Sequence, residues 1–429
     1  GPGQSAHPRA AVMDDTDEEG RHAWRHMQAG HNMLLWLWRP QVLATAEVVF
    51  EKEVRTTDPT NLEKLRDLSA LRAAATTTPA AGSLSGTTKT ASFCERMSKY
   101  LKALDAFIGY IETHENGAEL RDGCKKLKFY WTSQLCDVPK KKGRRGNTDV
   151  KLFAATGLWE EMAVMHAATA AALREKAAEL FESADHTTAF LLRAANEATE
   201  MLRKSAGIYQ WYAENILPKC TGQKGSLFEL RKPFVEVLAG ICLAEAHSVV
   251  ARRAQINGNS EALVAKLHMG TVRLYAQARS VLATTGELKR STMSSASDSE
   301  EGSPVLDPQL EAYFGLSQSL HTSRCRRSLA IDAQDRLENG EALAHLREAV
   351  KELKDVEQTY QLSKAWLHAW NGETQAIERL KAKFERENAT VYYQKVPDVV
   401  APTPVEKVIV KPIPFDPSET LTVAQARHP

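Results

Sequence analysis

A mainly α-helical fold is what this sequence predicts: a curved α-helical solenoid with a tetratricopeptide-like core and a small β element near the N-terminus. Three observations predict it. Apolar residues recur at helical spacing through most of the chain between Phe93 and Asn388. Alanine and glycine stand where successive helices would cross. One aromatic run, Leu127-Lys128-Phe129-Tyr130-Trp131-Thr132, alternates instead and reads as a strand. No fixed repeat period is visible, so the array is a degenerate one. Solenoids curve, and their concave side typically binds.

The elements follow in order. Residues 1–32 are polar and charged without sustained periodicity and read as a flexible leader, in which Gly1-Pro2 looks like a tag-cleavage scar. The domain is expected to span 33–418, opening at Met33-Leu34-Leu35-Trp36-Leu37-Trp38, with 419–429 as a tail. Ala46–Val54 alternates loosely and is a further strand candidate. Asn61–Ala75 predicts a short helix, and the Thr-, Ser- and Gly-rich stretch Thr76–Thr90 a loop. Phe93–His114 predicts one helix, and Asp137–Asn147 a basic loop. Val150–Ser183 is almost continuously apolar or small, as a central helix buried on several sides would be. Thr187–Leu217 carries Leu191, Ala195, Ala198, Leu202, Ala206 and Tyr209 close to helical spacing. Leu227–Arg253 and Ser260–Thr285 predict a helix pair. Residues 286–307, with the serine-acid run Ser294–Glu301, predict a disordered loop that buries nothing. Two or three helices are expected from Pro308 to Glu387, one with the stripe Ala342, Leu346, Ala349, Val350 and Leu353. The last helix is charged and breaks at Asn388, before an extended aromatic segment that ends at Pro397. A proline-punctuated strap then lies back on the domain's own surface. The residue before a proline is pushed to extended geometry, so Val396, Lys411 and Ile413 do not continue a helix.

Composition narrows the function. A hydrophobic fraction of 43% supports a substantial core, and a net charge of +1 argues against a nucleic-acid partner. No uninterrupted apolar run approaches the roughly 20 residues that span a bilayer. The six cysteines are scattered without CxxC spacing, which fits a reduced, cytoplasmic compartment. Phosphate-loop, GxGxxG and HExxH motifs are absent, so no nucleotide cofactor, metal or small-molecule substrate is expected. His22 and His26 would share a helical face, but His31 is rotated away from it, leaving a poor zinc site. Asp14–Glu19 superficially resembles the acidic cluster of an all-α enzyme but reads as a solubilising leader. Lys140, Lys141, Lys142, Arg144 and Arg145 form the one strong charge run, a solvated loop or a contact with an anionic membrane.

The strap Tyr392-Tyr393-Gln394-Lys395-Val396-Pro397 resembles the end of the Bro-one (BRO) domain of Alix-like endosomal-sorting adaptors, most closely their Brox-type members. Other blocks extend the resemblance from Met33 to about Ser418: Trp36–Phe50, Phe129-Tyr130-Trp131-Thr132, Ser205-Ala206-Gly207-Ile208-Tyr209 and Leu243–Val250. Ser133 stands where the family carries an acid, and His247-Ser248 where it carries Gln-Glu. Brox-type members end in a prenylated cysteine box, and no cysteine stands near Ala426-Arg427-His428-Pro429.

The resemblance implies a non-catalytic adaptor that captures the C-terminal amphipathic helix of an ESCRT-III subunit, of the charged multivesicular body protein four class, in a concave groove. It places groove lining at Val250, Leu263 and Leu267, with Lys266 beside them to meet acidic ligand residues. It implies a cytoplasmic protein recruited to endosomal membranes by peripheral association. A rhophilin-like small-GTPase effector, or another peptide-binding helical scaffold, is the competing reading.

Overall fold

The computed structural model describes residues 45–76, 86–136, 152–181, 187–221, 227–287, 305–359 and 364–418. Among these residues lie twelve α-helices and one two-stranded antiparallel sheet, so the protein is mainly α. The helices are α1 (Phe50–Glu53), α2 (Pro59–Thr76), α3 (Gly86–Thr113), α4 (Glu115–Ala118), α5 (Arg121–Lys125) and α6 (Leu158–Glu179). They continue with α7 (Thr188–Asn215), α8 (Lys232–Ile256), α9 (Glu261–Thr284), α10 (Gln309–Asp335), α11 (Asn339–Thr359) and α12 (Lys364–Glu387). Strands β1 (Lys128–Trp131) and β2 (Phe153–Thr156) pair with Phe129 opposite Ala155. The chain forms two compact units.

The larger unit holds residues 38–253, 273–314 and 408–429. Its axis is α6, packed against α3 and α7 and buried along nearly its whole length. Alanines at 163, 167, 168, 170, 172, 177 and 178 keep that helix thin enough for close neighbours. Helix α7 begins at Thr187, whose side chain accepts the Phe190 N–H as an N-cap.

Three buried carboxylates stitch this unit together. Glu161 accepts Arg72 Nε at 2.7 Å and Trp131 Nε1 at 2.7 Å, tying α2 and β1 to α6. Glu245 on α8 accepts both arms of Arg174, at 2.8 and 2.6 Å, and the Tyr313 hydroxyl at 2.7 Å. Glu229 accepts Ser133 Oγ and the Gln134 N–H. Ser133 thus donates to an acid brought from elsewhere in the chain. Removing one partner of such a buried pair costs about 3–5 kcal/mol, because the other charge is left stranded.

The smaller unit holds residues 1–37, 254–272 and 315–407. In it α11 packs on α12. Glu373 accepts Arg324 at 3.3 Å and Arg327 at 2.7 Å, all three buried. His268 and His321 face each other with Nδ1 atoms 3.1 Å apart.

Five expectations need correction. The loop expected over Thr76–Thr90 ends early, because α3 already begins at Gly86. Ala46–Val54 is not a strand: Thr45 makes one bridge to Trp131, and Phe50 starts the single turn α1 with its ring buried on Phe129. The central helix starts late, because Phe153–Thr156 pairs as β2 and Gly157, at φ 105°, turns the chain into α6. The 286–307 loop does not run to its expected end, since Leu306 is buried and bridges Cys136. After α12 the chain does not extend at once. It closes a wide helical turn over Asn388–Tyr392 and leaves it through Tyr393 at φ 51°.

Helix α8 is long and apolar enough to cross a membrane, but 83% of its apolar window is buried inside the protein, as in a core helix. The leader with Asp14–Glu19, His22, His26 and His31, the entry segment 33–44, the basic run Lys140–Arg145, the serine-acid run and the tail 419–429 lie outside the described residues.

Candidate partner-binding surface

The groove expected from sequence centres on α8 and α9. Helix α9 turns Val264, Ala265, Leu267, His268 and Thr271 inward, all nearly inaccessible. That arc is wide, and Leu267 falls inside it, 2% exposed. Leu263 sits at its margin, half-buried, and Lys266 is exposed. Val250 on α8 belongs to the larger unit and is 6% exposed. This corrects the expectation that all three apolar positions stand open. Val250 and Leu267 are core, whereas Leu263 and Lys266 are the accessible pair. A Leu-x-x-x-Leu spacing puts both leucines on one face. It does not say how deep that face is buried.

The C-terminal strap reaches the same turn of α9. Within the smaller unit the Lys407 N–H donates to the Lys266 carbonyl at 3.0 Å. Within the larger unit the Ile409 N–H donates to His247 Nε2 at 3.3 Å. His247 therefore gives the strap an acceptor from inside α8. Farther along, Arg203 Nε donates to the Lys411 carbonyl at 2.7 Å, and the Ile413 N–H donates to the Arg203 carbonyl at 3.1 Å. A Cβ on Gly207 would lie 1.8 Å from the Ile413 carbonyl oxygen, so only glycine admits the strap here. Phe415 then packs edge-on against His166 and Trp211. Sequence reasoning placed the strap on the surface but missed these acceptors, which have no local sequence signature.

The most strongly shifted groups belong to the core. Burial, reinforced by Glu245, pushes the Tyr313 hydroxyl well above its usual range. Burial alone would lower Arg174, but the charge and hydrogen bonds of Glu245 hold it above its ordinary value. Burial raises Glu229 despite its donors. Each of these groups is held by structural partners in the core. Among the described residues no three His, Cys, Asp or Glu side chains are grouped to hold a metal ion.

Comparison with known proteins decides the family. The BRO1-like domain family matches residues 49–428. The chain belongs to this family. BRO1-like domains are non-catalytic adaptors associated with endosomal sorting, and this chain is one of them. Three solved structures share the fold. A complex of the ALIX BRO1 domain with CHMP4C has a TM-score of 0.62 and 18% identity, covering 89% of this chain and 96% of the other. ALIX bound to the SIVmac239 PYKEVTEDL late domain gives 0.61 and 19%, covering 89% of this chain and 49% of the other. A structure addressing endosomal targeting by the Bro1 domain gives 0.56 and 16%, covering 84% and 87%. At such identities the likeness is one of fold. No curated protein sequence matches the chain.

Proposed function

We propose that this BRO1-like domain, working as one domain over residues 33–418, captures the C-terminal amphipathic helix of an ESCRT-III subunit and holds it at endosomal membranes. The observation that carries this reading is the shared fold with the ALIX BRO1 domain in its CHMP4C complex, over nearly the whole of both chains. The accessible pair on α9 supports it. Leu263 offers an apolar edge and Lys266 a cation one turn away, a match for a helix with one greasy and one acidic face. Leu267 acts behind that surface as its support.

Calorimetric titration with C-terminal peptides from each ESCRT-III subunit tests the reading. One peptide class should bind, Leu263→Asp should cost about 2 kcal/mol of binding as a hot spot, and Lys266→Glu should weaken an acidic helix further. Equal affinity in both variants would remove α9 from the interface. Leu267→Asp is a poor probe, because it puts a charge into the core. The run Lys140–Arg145 would add peripheral contact with anionic lipid at roughly 1 kcal/mol per residue. Neutralising it should lower co-sedimentation with phosphatidylserine vesicles and leave peptide binding untouched.

A further inference from the structure

Residues 411–417 read Lys-Pro-Ile-Pro-Phe-Asp-Pro. The three prolines fix their own φ. The residue before each, Lys411, Ile413 and Asp416, is pushed to extended geometry. Only Phe415 escapes both constraints. Such a sequence favours a left-handed polyproline-II helix with three residues per turn, and residues 411–416 carry no helix or strand before the turn at 417–418. Residues three apart then share an edge of a triangular prism.

The three edges differ in environment. Lys411, Pro414 and Pro417 form one edge, and all three are exposed. Pro412 and Phe415 form the second, which faces the protein: the Phe415 ring lies 5.3 Å from that of Trp211 and 5.5 Å from that of His166. On the third, Ile413 is half-buried and Asp416 exposed. The prism is clamped at both ends. Arg203 exchanges hydrogen bonds with the Lys411 carbonyl and the Ile413 N–H. The Asp416 carboxylate accepts the Ser418 N–H and hydroxyl at 2.8 and 2.7 Å, and Lys102 Nζ donates to the Ser418 carbonyl at 2.9 Å.

We propose that this strap is a ready-made ligand for an SH3-type domain. Such receptors take a polyproline-II ligand in an aromatic-lined groove. Two prolines three apart, with a basic residue three positions before the first, match a groove of two apolar slots and one acidic pocket. Lys411, Pro414 and Pro417 supply that set on the open edge. Ile413 and Asp416 flank the prolines in the slots. Pro412 and Phe415 occupy the positions such a ligand turns away from its receptor, and the protein uses them to seat the strap. A free proline-rich peptide must be ordered on binding, whereas this one is already held, which lowers the entropic cost of association.

The test is a panel of purified SH3 domains that select a basic residue ahead of a proline pair, titrated with the whole chain and read by shifts of their groove aromatics. At least one should bind. Lys411→Glu should weaken it by about tenfold or more, since the charge meets the acidic pocket. The double variant Pro414→Ala, Pro417→Ala should abolish binding while the thermal midpoint stays within a degree or two, because exposed side chains carry little stability. The proposal is overturned if no domain binds above the level of Lys411→Glu. It is equally overturned if a free peptide of residues 408–418 binds and the folded chain does not, for the strap would then be hidden as held.

Discussion

The two halves of the C-terminal segment are fastened by different physics. Residues 388–407 hang on polar hooks. Gln394 donates to the Leu337 carbonyl at 2.8 Å and accepts the Gly340 N–H at 2.9 Å, Asn388 and Gln394 exchange two further bonds, and Arg326 donates to the Ala401 carbonyl. Four apolar side chains of this half point outward: Val391, Tyr393, Val399 and Val405 are 65%, 76%, 85% and 82% exposed. Residues 408–418 press their backbone onto α7 and bury Val410, with Phe415 against two rings. Hooks are directional and separable, each worth about 1 kcal/mol net. Packed contact is cooperative, since every atom depends on the closeness of the rest. The first half should therefore loosen one bond at a time, and the second should lift as a unit.

The largest effect should come from the second half. Gly207→Ala forces a Cβ onto the Ile413 carbonyl. It should destabilise the protein by about 3 kcal/mol, at the upper end for overpacking. Urea unfolding should report the loss, and limited proteolysis should open the chain after residue 407. Retained protection at 408–418 would contradict the packing account.

Acid should act on the same half. His166 is held neutral beneath Phe415, its pKa lowered from 6.5 to about 3 by burial. The unfolded imidazole takes its proton near 6.5, so this group's contribution is complete above that pH and is lost as pH falls toward 3. The slope in that window is about 1.4 kcal/mol per pH unit for one proton. A His166→Leu variant should lose that part of the acid sensitivity in a pH series of denaturation curves.

Breaking a hook should do less. Gln394→Ala should cost about 1–2 kcal/mol and raise hydrogen exchange over 337–340 and 393–396, leaving 408–418 protected. Smallest is Asp416, whose carboxyl is held below its usual range by the Ser418 hydroxyl and N–H. Its contribution exists above the ordinary carboxylate pKa and disappears as pH falls through the lowered one, so only the turn at 417–418 should loosen, visible as local exchange.

Much of this fold was legible in the sequence, for reasons particular to its segments. The long helices from Pro59–Thr76 to Lys364–Glu387 announce themselves by period and length, whereas the one-turn α4 and α5 are too short to show a period. Strand β1 was readable because Phe129 and Trp131 alternate with polar neighbours, and both are buried. Strand β2 was not, because Phe153-Ala154-Ala155-Thr156 runs into an alanine-rich helix and only Gly157 marks the break. The candidate site was half legible. Periodicity put Leu263 and Leu267 on one face, but depth depends on what other segments bring to it, and it is Leu267 that is sealed. The acceptors for the strap, His247 and the Arg203 carbonyl, are distant in sequence and carry no pattern at all.

None of the six cysteines is in a disulfide. Burial pushes the thiols of Cys94, Cys124, Cys220, Cys242 and Cys325 up to about 12. A thiol reacts with alkylating dyes as its thiolate, so these five are close to inert at neutral pH. With Cys136 buried as well, a single new cysteine at the half-exposed Ile409 could be tagged selectively with a fluorophore, and its anisotropy would follow the strap's departure and return in real time without a cysteine-free background.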